Sequence, residues 1–181
     1  MTQSDDILNK LGKALAPVPE SANSLPDPKR MVQFGLEILA NSETGSRLAS
    51  LATEQNFQID VIKTPEETAY MPETGKIQIG MRVNPPTSPA RFVLILTGIL
   101  REAEQELAGK KHPELHEPIT KHLSISVSKE SDKVAHMCAV AYELNQILDF
   151  TEYSFFDELR KMGYTESINK YIEVADKETA Q

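Results

Sequence analysis

The run FVLILTGIL, residues 92–100, constrains this chain more than any other stretch. Ser88 followed by Pro89 is a helix start signal: a capping hydroxyl, then a ring whose missing N–H matters little in a first turn. From there Phe92, Val93, Leu94, Ile95, Leu96, Ile99, Leu100, Ala103 and Leu107 leave the first half of a helix over residues 88–107 apolar on every side. A surface helix shows one apolar stripe, whereas a helix without a polar face has to be wrapped by the rest of the fold. The run is also too short to span a bilayer, which takes about 20 apolar residues. The spacing therefore predicts a central buried helix, with the remaining chain as its shell.

That shell is legible piece by piece. Residues 28–40 and 42–55 read as two helices, the first opened by Asp27 and Pro28 and the second by Ser42. Phe57, Ile59 and Val61 then alternate with polar residues over 57–63, the pattern of a half-buried strand. Residues 69–71 and 76–81 flank PETG, where Gly75 offers the positive φ of a tight turn, and together they predict a hairpin. Beyond the central helix, a polar connection over 109–117 leads to a short helix over 118–123 and a separate long one over 128–148. The long helix carries Val134, Met137, Cys138, Ala141, Leu144 and Leu148 on one stripe. Helices over 154–162 and 165–175 complete the chain.

The expected fold class is thus α+β: a mainly helical domain with a small antiparallel sheet or hairpin against a central buried helix. Leu96, Leu100, Met137 and Ala141 are expected to share one apolar cluster. A single domain is assigned to residues 28–181, since 181 residues suffice for one substantial core and not for two. Residues 1–27 read as a flexible segment, with a short amphipathic helix on Ile7, Leu8, Leu11 and Leu15 and then a linker with four prolines between Pro17 and Pro28.

Several functions are disfavoured at this point. A net charge of −8 repels phosphate backbones and anionic lipid, so nucleic acid and membranes are poor partners. A lone cysteine, Cys138, amid apolar neighbours builds no disulfide framework and predicts an inert thiol. The first residues are acidic and lack a secretory apolar core, which makes a cytoplasmic protein the simplest expectation. No glycine-rich phosphate loop and no nucleophile-elbow serine is present, and no cofactor is expected.

The stretch LTGILREAEQ, residues 96–105, carries one further signal. Its outline, with Leu96, Leu100, Arg101, Ala103 and Gln105, follows a Tyr70-containing edge, the strand of Ile77 and Ile79, and a proline loop. Later come Glu130, Ser131 and Asp132 and the helix VAHMCAVAYEL. Over residues 57–148, half of the chain, this arrangement resembles the zincin-like metallopeptidases of the minimal gluzincin type. The resemblance implies two zinc-binding histidines four residues apart, a general-base glutamate after the first, and an acidic ligand from the later helix.

In this chain Gly98 and Glu102 stand at the two histidine positions and Ile99 at the base position. Glu130 or Asp132 remains as a remnant of the site, and hard oxygen ligands alone do not make a zinc centre. The expectation is a pseudo-metallopeptidase with no catalytic residues and no metal, acting by binding a protein partner that the sequence does not name. A glycine inside a helix costs about 1 kcal/mol relative to alanine, so another segment is expected to pack closely over Gly98 and to leave Ile99 in a filled apolar cleft. Two alternatives stay open. One is a metal-dependent hydrolase with a rearranged site that uses Glu102, Glu130 and a loop histidine, from His112, His116 and His122, with His136 further along the chain. The other is a helical adaptor unrelated to zincins, which does not require the hairpin to lie beside the central helix. For Glu102 and Glu104 the plain expectation is a solvated helix face, and for Arg101 a surface cation that meets Glu104 or Gln105.

Overall fold

The computed structural model describes residues 27–64, 67–82, 87–109, 118–147 and 154–179. Of the amphipathic segment and linker expected over residues 1–27, residues 1–26 lie outside the described residues. Among the described residues the chain runs α1 (Pro28–Leu39), α2 (Glu43–Glu54), β1 (Gln58–Lys63), β2 (Thr68–Met71), β3 (Lys76–Met81), α3 (Pro89–Leu107), α4 (Ile119–Ile147), α5 (Phe155–Lys161) and α6 (Thr165–Thr179). No described helix is long and apolar enough to cross a membrane.

Capping fixes the starts of these helices. Asp27 accepts from Lys29 N–H with Pro28 in the first turn, Ser42 accepts from Gly45 N–H, and Ser88 accepts from Arg91 N–H with Pro89 behind it. Each bond satisfies a backbone donor that has no partner within its own helix. α2 ends where Asn56 takes a left-handed conformation and Phe57 N–H reaches back to Ala52 C=O at 3.0 Å.

α3 is the centre, as its composition requires. Ala90, Phe92, Val93, Leu94, Ile95, Leu96, Thr97, Gly98, Ile99, Leu100, Ala103 and Gln105 are all buried. It packs against α1, α2, α4 and α5 and against both strands of the hairpin. The Thr97 hydroxyl, fully buried, is satisfied by Val93 C=O at 2.8 Å. Leu96, Leu100, Met137 and Ala141 belong to one core cluster, as expected.

The hairpin forms at the expected place, with Tyr70 opposite Ile77, Thr68 opposite Ile79, and Gly75 at a φ of +64° in the turn. The sheet as a whole is mixed rather than antiparallel. Its order is β1-β3-β2, and β1 runs parallel to β3 with Ile59 opposite Ile77 and Val61 opposite Ile79. β3 takes the middle, and Ile77, Ile79, Gly80 and Met81 are all buried there. The chain therefore passes from β1 to the far edge before β3 returns between them.

α4 is also corrected. The separate helices expected over 118–123 and 128–148 are one continuous helix of 29 residues. The stretch SISVS, residues 124–128, is rich in serine and β-branched residues and reads as a break on local propensity. Anchoring overrides that preference. Lys129 donates its ammonium to Glu106, Gln105 Nε2 reaches Lys129 C=O at 3.2 Å, and elongating a helix already held costs far less than starting one. The helix buries Val134, Met137, Cys138, Val140, Ala141 and Leu144, while Ile119, Leu123 and Val127 in its first half stay exposed.

Candidate functional site

The Gly98 face of α3 is covered by α4. A Cβ built on Gly98 would stand 3.3 Å from Met137 Sδ and 3.5 Å from Lys133 Cδ, so the expected close packing over this glycine is present. Ile99 is 2% exposed. The cleft beside them is not filled, however, and that part of the expectation is corrected. A cavity of about 240 Å³ is lined by Thr68 of β2, Arg91, Ile95, Gly98 and Ile99 of α3, Lys133 and Met137 of α4, and Met162 and Tyr164 from the turn between α5 and α6. Close approach over one glycine has left a space one residue along, where α3, α4 and the α5–α6 turn diverge.

The two remnant acids part company. Glu130 turns toward the cavity rim, pairs with Lys133 Nζ at 2.5 Å and accepts from the Tyr164 hydroxyl at 3.3 Å. Burial raises the Tyr164 phenol above its ordinary pKa, and the Glu130 charge raises it further, so it stays a donor. Asp132 turns the other way, toward Arg101 at 2.5 Å and Gln105 at 2.5 Å. Burial opposes its ionisation, but the hydrogen bonds from Gln105 and Arg101 outweigh that and hold its carboxyl below the ordinary range. Glu102 stands half-buried on α3, one turn beyond Gly98.

Arg101 and Glu104 belong to an interhelical network and not to a solvated face. Arg101 donates to Glu104 as well as to Asp132, and Arg47 of α2 reaches the same Glu104. Arg47 Nη2 also lies 3.3 Å from His136 Nε2, while His136 Nδ1 meets Asp132 C=O at 2.8 Å. This pattern suits a neutral ring that donates from Nδ1 and accepts at Nε2. Burial lowers the His136 pKa below its ordinary value, and the nearby Arg101 and Arg47 charges push the same way.

Of the histidines named for a rearranged centre, the two described ones stand in different parts of α4. His112 and His116 fall outside the described residues, His122 sits on the first turns of α4, and His136 belongs to the Arg47 network. Among the described residues no group of three or more histidine, cysteine, aspartate or glutamate side chains is placed to hold a metal ion. Cys138 is buried and free, its thiol pushed up to about 11 by burial. Tyr70 packs edge-on against Phe57 at 5.5 Å, and Tyr142 lies against Tyr171 and donates to Asp176, so both act as amphipathic packing residues.

Sequence reasoning missed Lys133, Arg91, Tyr164, Thr68 and Met162. For Lys133 a signal existed: it lies three residues after Glu130 and four before Met137, on the edge of the apolar stripe of α4. Nothing local marked the others, which come from distant segments. Compared with models of protein families, with curated proteins and with solved structures, the chain matches none.

Proposed function

We propose that this chain is a zincin-like domain that has lost zinc and peptidase activity and acts by binding. Lys133 is the observation that carries the reading. In the resemblance, the position of Gly98 belongs to a metal-binding histidine, and Glu130 or Asp132 stands for the acidic ligand. Here the Lys133 stem lies against Gly98 and its ammonium holds Glu130 at 2.5 Å. A resident cation on the same carboxylate opposes a dication, since like charges a few ångströms apart repel. Ile99 at the base position cannot take a proton from water, and it supplies instead an apolar wall to the cavity. The placement of the β2–β3 hairpin beside α3 supports this reading over an unrelated helical adaptor.

Elemental analysis tests it. The natural protein, dialysed and folded, is expected to carry no stoichiometric zinc. The variant Gly98→His, Ile99→Glu, Glu102→His gains tight zinc only when Lys133→Ser is added, because the lysine occupies the restored ligand's space. Stoichiometric zinc in the natural protein overturns the loss of the centre. A folded fourfold variant that takes up no zinc overturns the zincin assignment.

A further inference from the structure

We infer that the cavity over Gly98 and Ile99 binds a small carboxylate with a short apolar tail, the acid group between Lys133 and Arg91 and the tail on Ile95, Ile99, Met137 and Met162. This names a ligand class for the binding role proposed above and rests on that reading for its place in function, although the physical argument uses the cavity alone.

Three features point to this chemistry. First, among the described residues the lining includes two cations, Arg91 and Lys133, and no carboxylate, on a chain whose net charge is −8. Glu130 and Glu158, which pair with these cations, are absent from the described lining: Lys133 meets Glu130 at 2.5 Å and Arg91 meets Glu158 at 3.8 Å. An entering carboxylate joins each pair as a further acceptor. An ammonium carries three N–H donors and a guanidinium five, so each cation can serve more than one acceptor.

Second, the polar groups gather against an otherwise apolar wall. Thr68 and Tyr164 bring hydroxyls, while Ile95, Ile99, Met137 and Met162 supply hydrocarbon and thioether surface. An apolar pocket with a few convergent polar groups is the usual form of a small-molecule site. Methionine side chains add adaptability to the shape of a tail. The Tyr164 phenol, kept protonated by burial and by Glu130, already donates to that carboxylate at 3.3 Å and can turn to a second acceptor.

Third, size limits the ligand. About 240 Å³ lies below the roughly 300–1,000 Å³ of sites for drug-sized molecules, which leaves room for an acid group and a few carbons. A free short-chain acid and the C-terminal carboxylate of a peptide with an apolar last residue share this chemistry.

The probes are hexanoate, hexanamide, acetate, and a short acetylated peptide ending in leucine with either a free carboxylate or an amide, each titrated into the full-length protein and followed by amide NMR shifts. The expectation is saturable binding with shifts centred on residues 91–99, 133–137 and 162–164. Hexanoate is held about ten-fold more tightly than hexanamide and than acetate, which separates the charge from the tail. Lys133→Met and Arg91→Met, which keep most of each stem, weaken hexanoate about five-fold or more, while Lys177→Met at the exposed end of α6 changes nothing. If the free-carboxylate peptide binds and its amide does not, the natural source is a chain terminus. If hexanoate binds and the peptide does not, the source is a free acid. Equal binding of hexanoate and hexanamide, or no saturation by any carboxylate up to about 10 mM, overturns the proposal, and these measurements on the natural protein decide it even if a variant fails to fold. Absence of binding in a zinc-free protein defeats this inference and leaves the loss of the metal centre standing. Stoichiometric zinc defeats that reading instead.

Discussion

Met137 Sδ stands 3.3 Å from the point that a Cβ on Gly98 would occupy. The neighbour is the flexible end of a methionine, and it can shift by the few tenths of an ångström an alanine requires. Gly35, the helical glycine of α1, is different: a Cβ there would meet Leu96 Cδ2 and Phe92 Cε1 at 2.8 Å, both on side chains locked in the core.

Gly98→Ala is therefore expected to stabilise the fold by about 0.5 kcal/mol, the helix-propensity gain of up to 1 kcal/mol less a small packing cost. Gly35→Ala is expected to destabilise by about 1–3 kcal/mol through overpacking. Urea midpoints of the two variants check this, and the same sign for both would show that the α3–α4 and α1–α3 contacts are misassigned.

The two halves of α4 should answer mutation differently. Leu100 on α3 is fully buried in the core cluster that includes Met137 and Ala141 of the second half, and Leu100→Ala should cost about 2–5 kcal/mol. Leu123 on the first half is 59% exposed, and Leu123→Ser should change stability by no more than about 0.5 kcal/mol. A large loss at Leu123 in equilibrium unfolding would mean that another part of the chain covers it.

Two groups give stability a stepped pH dependence. His136 has its folded pKa lowered from 6.5, so the fold favours the neutral ring; its contribution is complete above about 6.5 and declines as pH falls from there through the folded pKa. Asp132 has its folded pKa lowered from 3.8, so its contribution is complete above about 3.8 and is lost as pH falls through the folded value. His136→Gln should flatten the upper stretch alone and Asp132→Asn the lower one, read from denaturation midpoints across pH. A His136→Gln profile that parallels the natural one removes the neutral-ring assignment.

Cys138 should be silent until the domain opens. It is 1% exposed and its thiol is pushed up to about 11, so both access and thiolate are missing in the fold. Labelling with a thiol reagent near neutral pH should follow the rate or population of unfolding, and rapid labelling of the folded protein would contradict the packing of α4.

What the sequence determined was whatever depends on short-range pattern. FVLILTGIL, without a polar face, required a central helix, and Ser42 and Ser88 marked helix starts because capping is a bond between near neighbours. The hairpin about Gly75 followed from turn chemistry in the same way. Tertiary structure decided the rest. β1 lies parallel to β3, a pairing between separate segments that neither shows alone. α4 runs through SISVS because Gln105 and Glu106 hold it at Lys129, against its local preference. Asp132 and Glu130, two residues apart, serve opposite sides of the helix, and only the fold could place one with Arg101 and Gln105 and the other with Lys133 and Tyr164. The cavity was illegible for the same reason: Thr68, Arg91, Lys133 and Tyr164 meet by the packing of separate elements, and pairing across such distances leaves no period or motif in the chain.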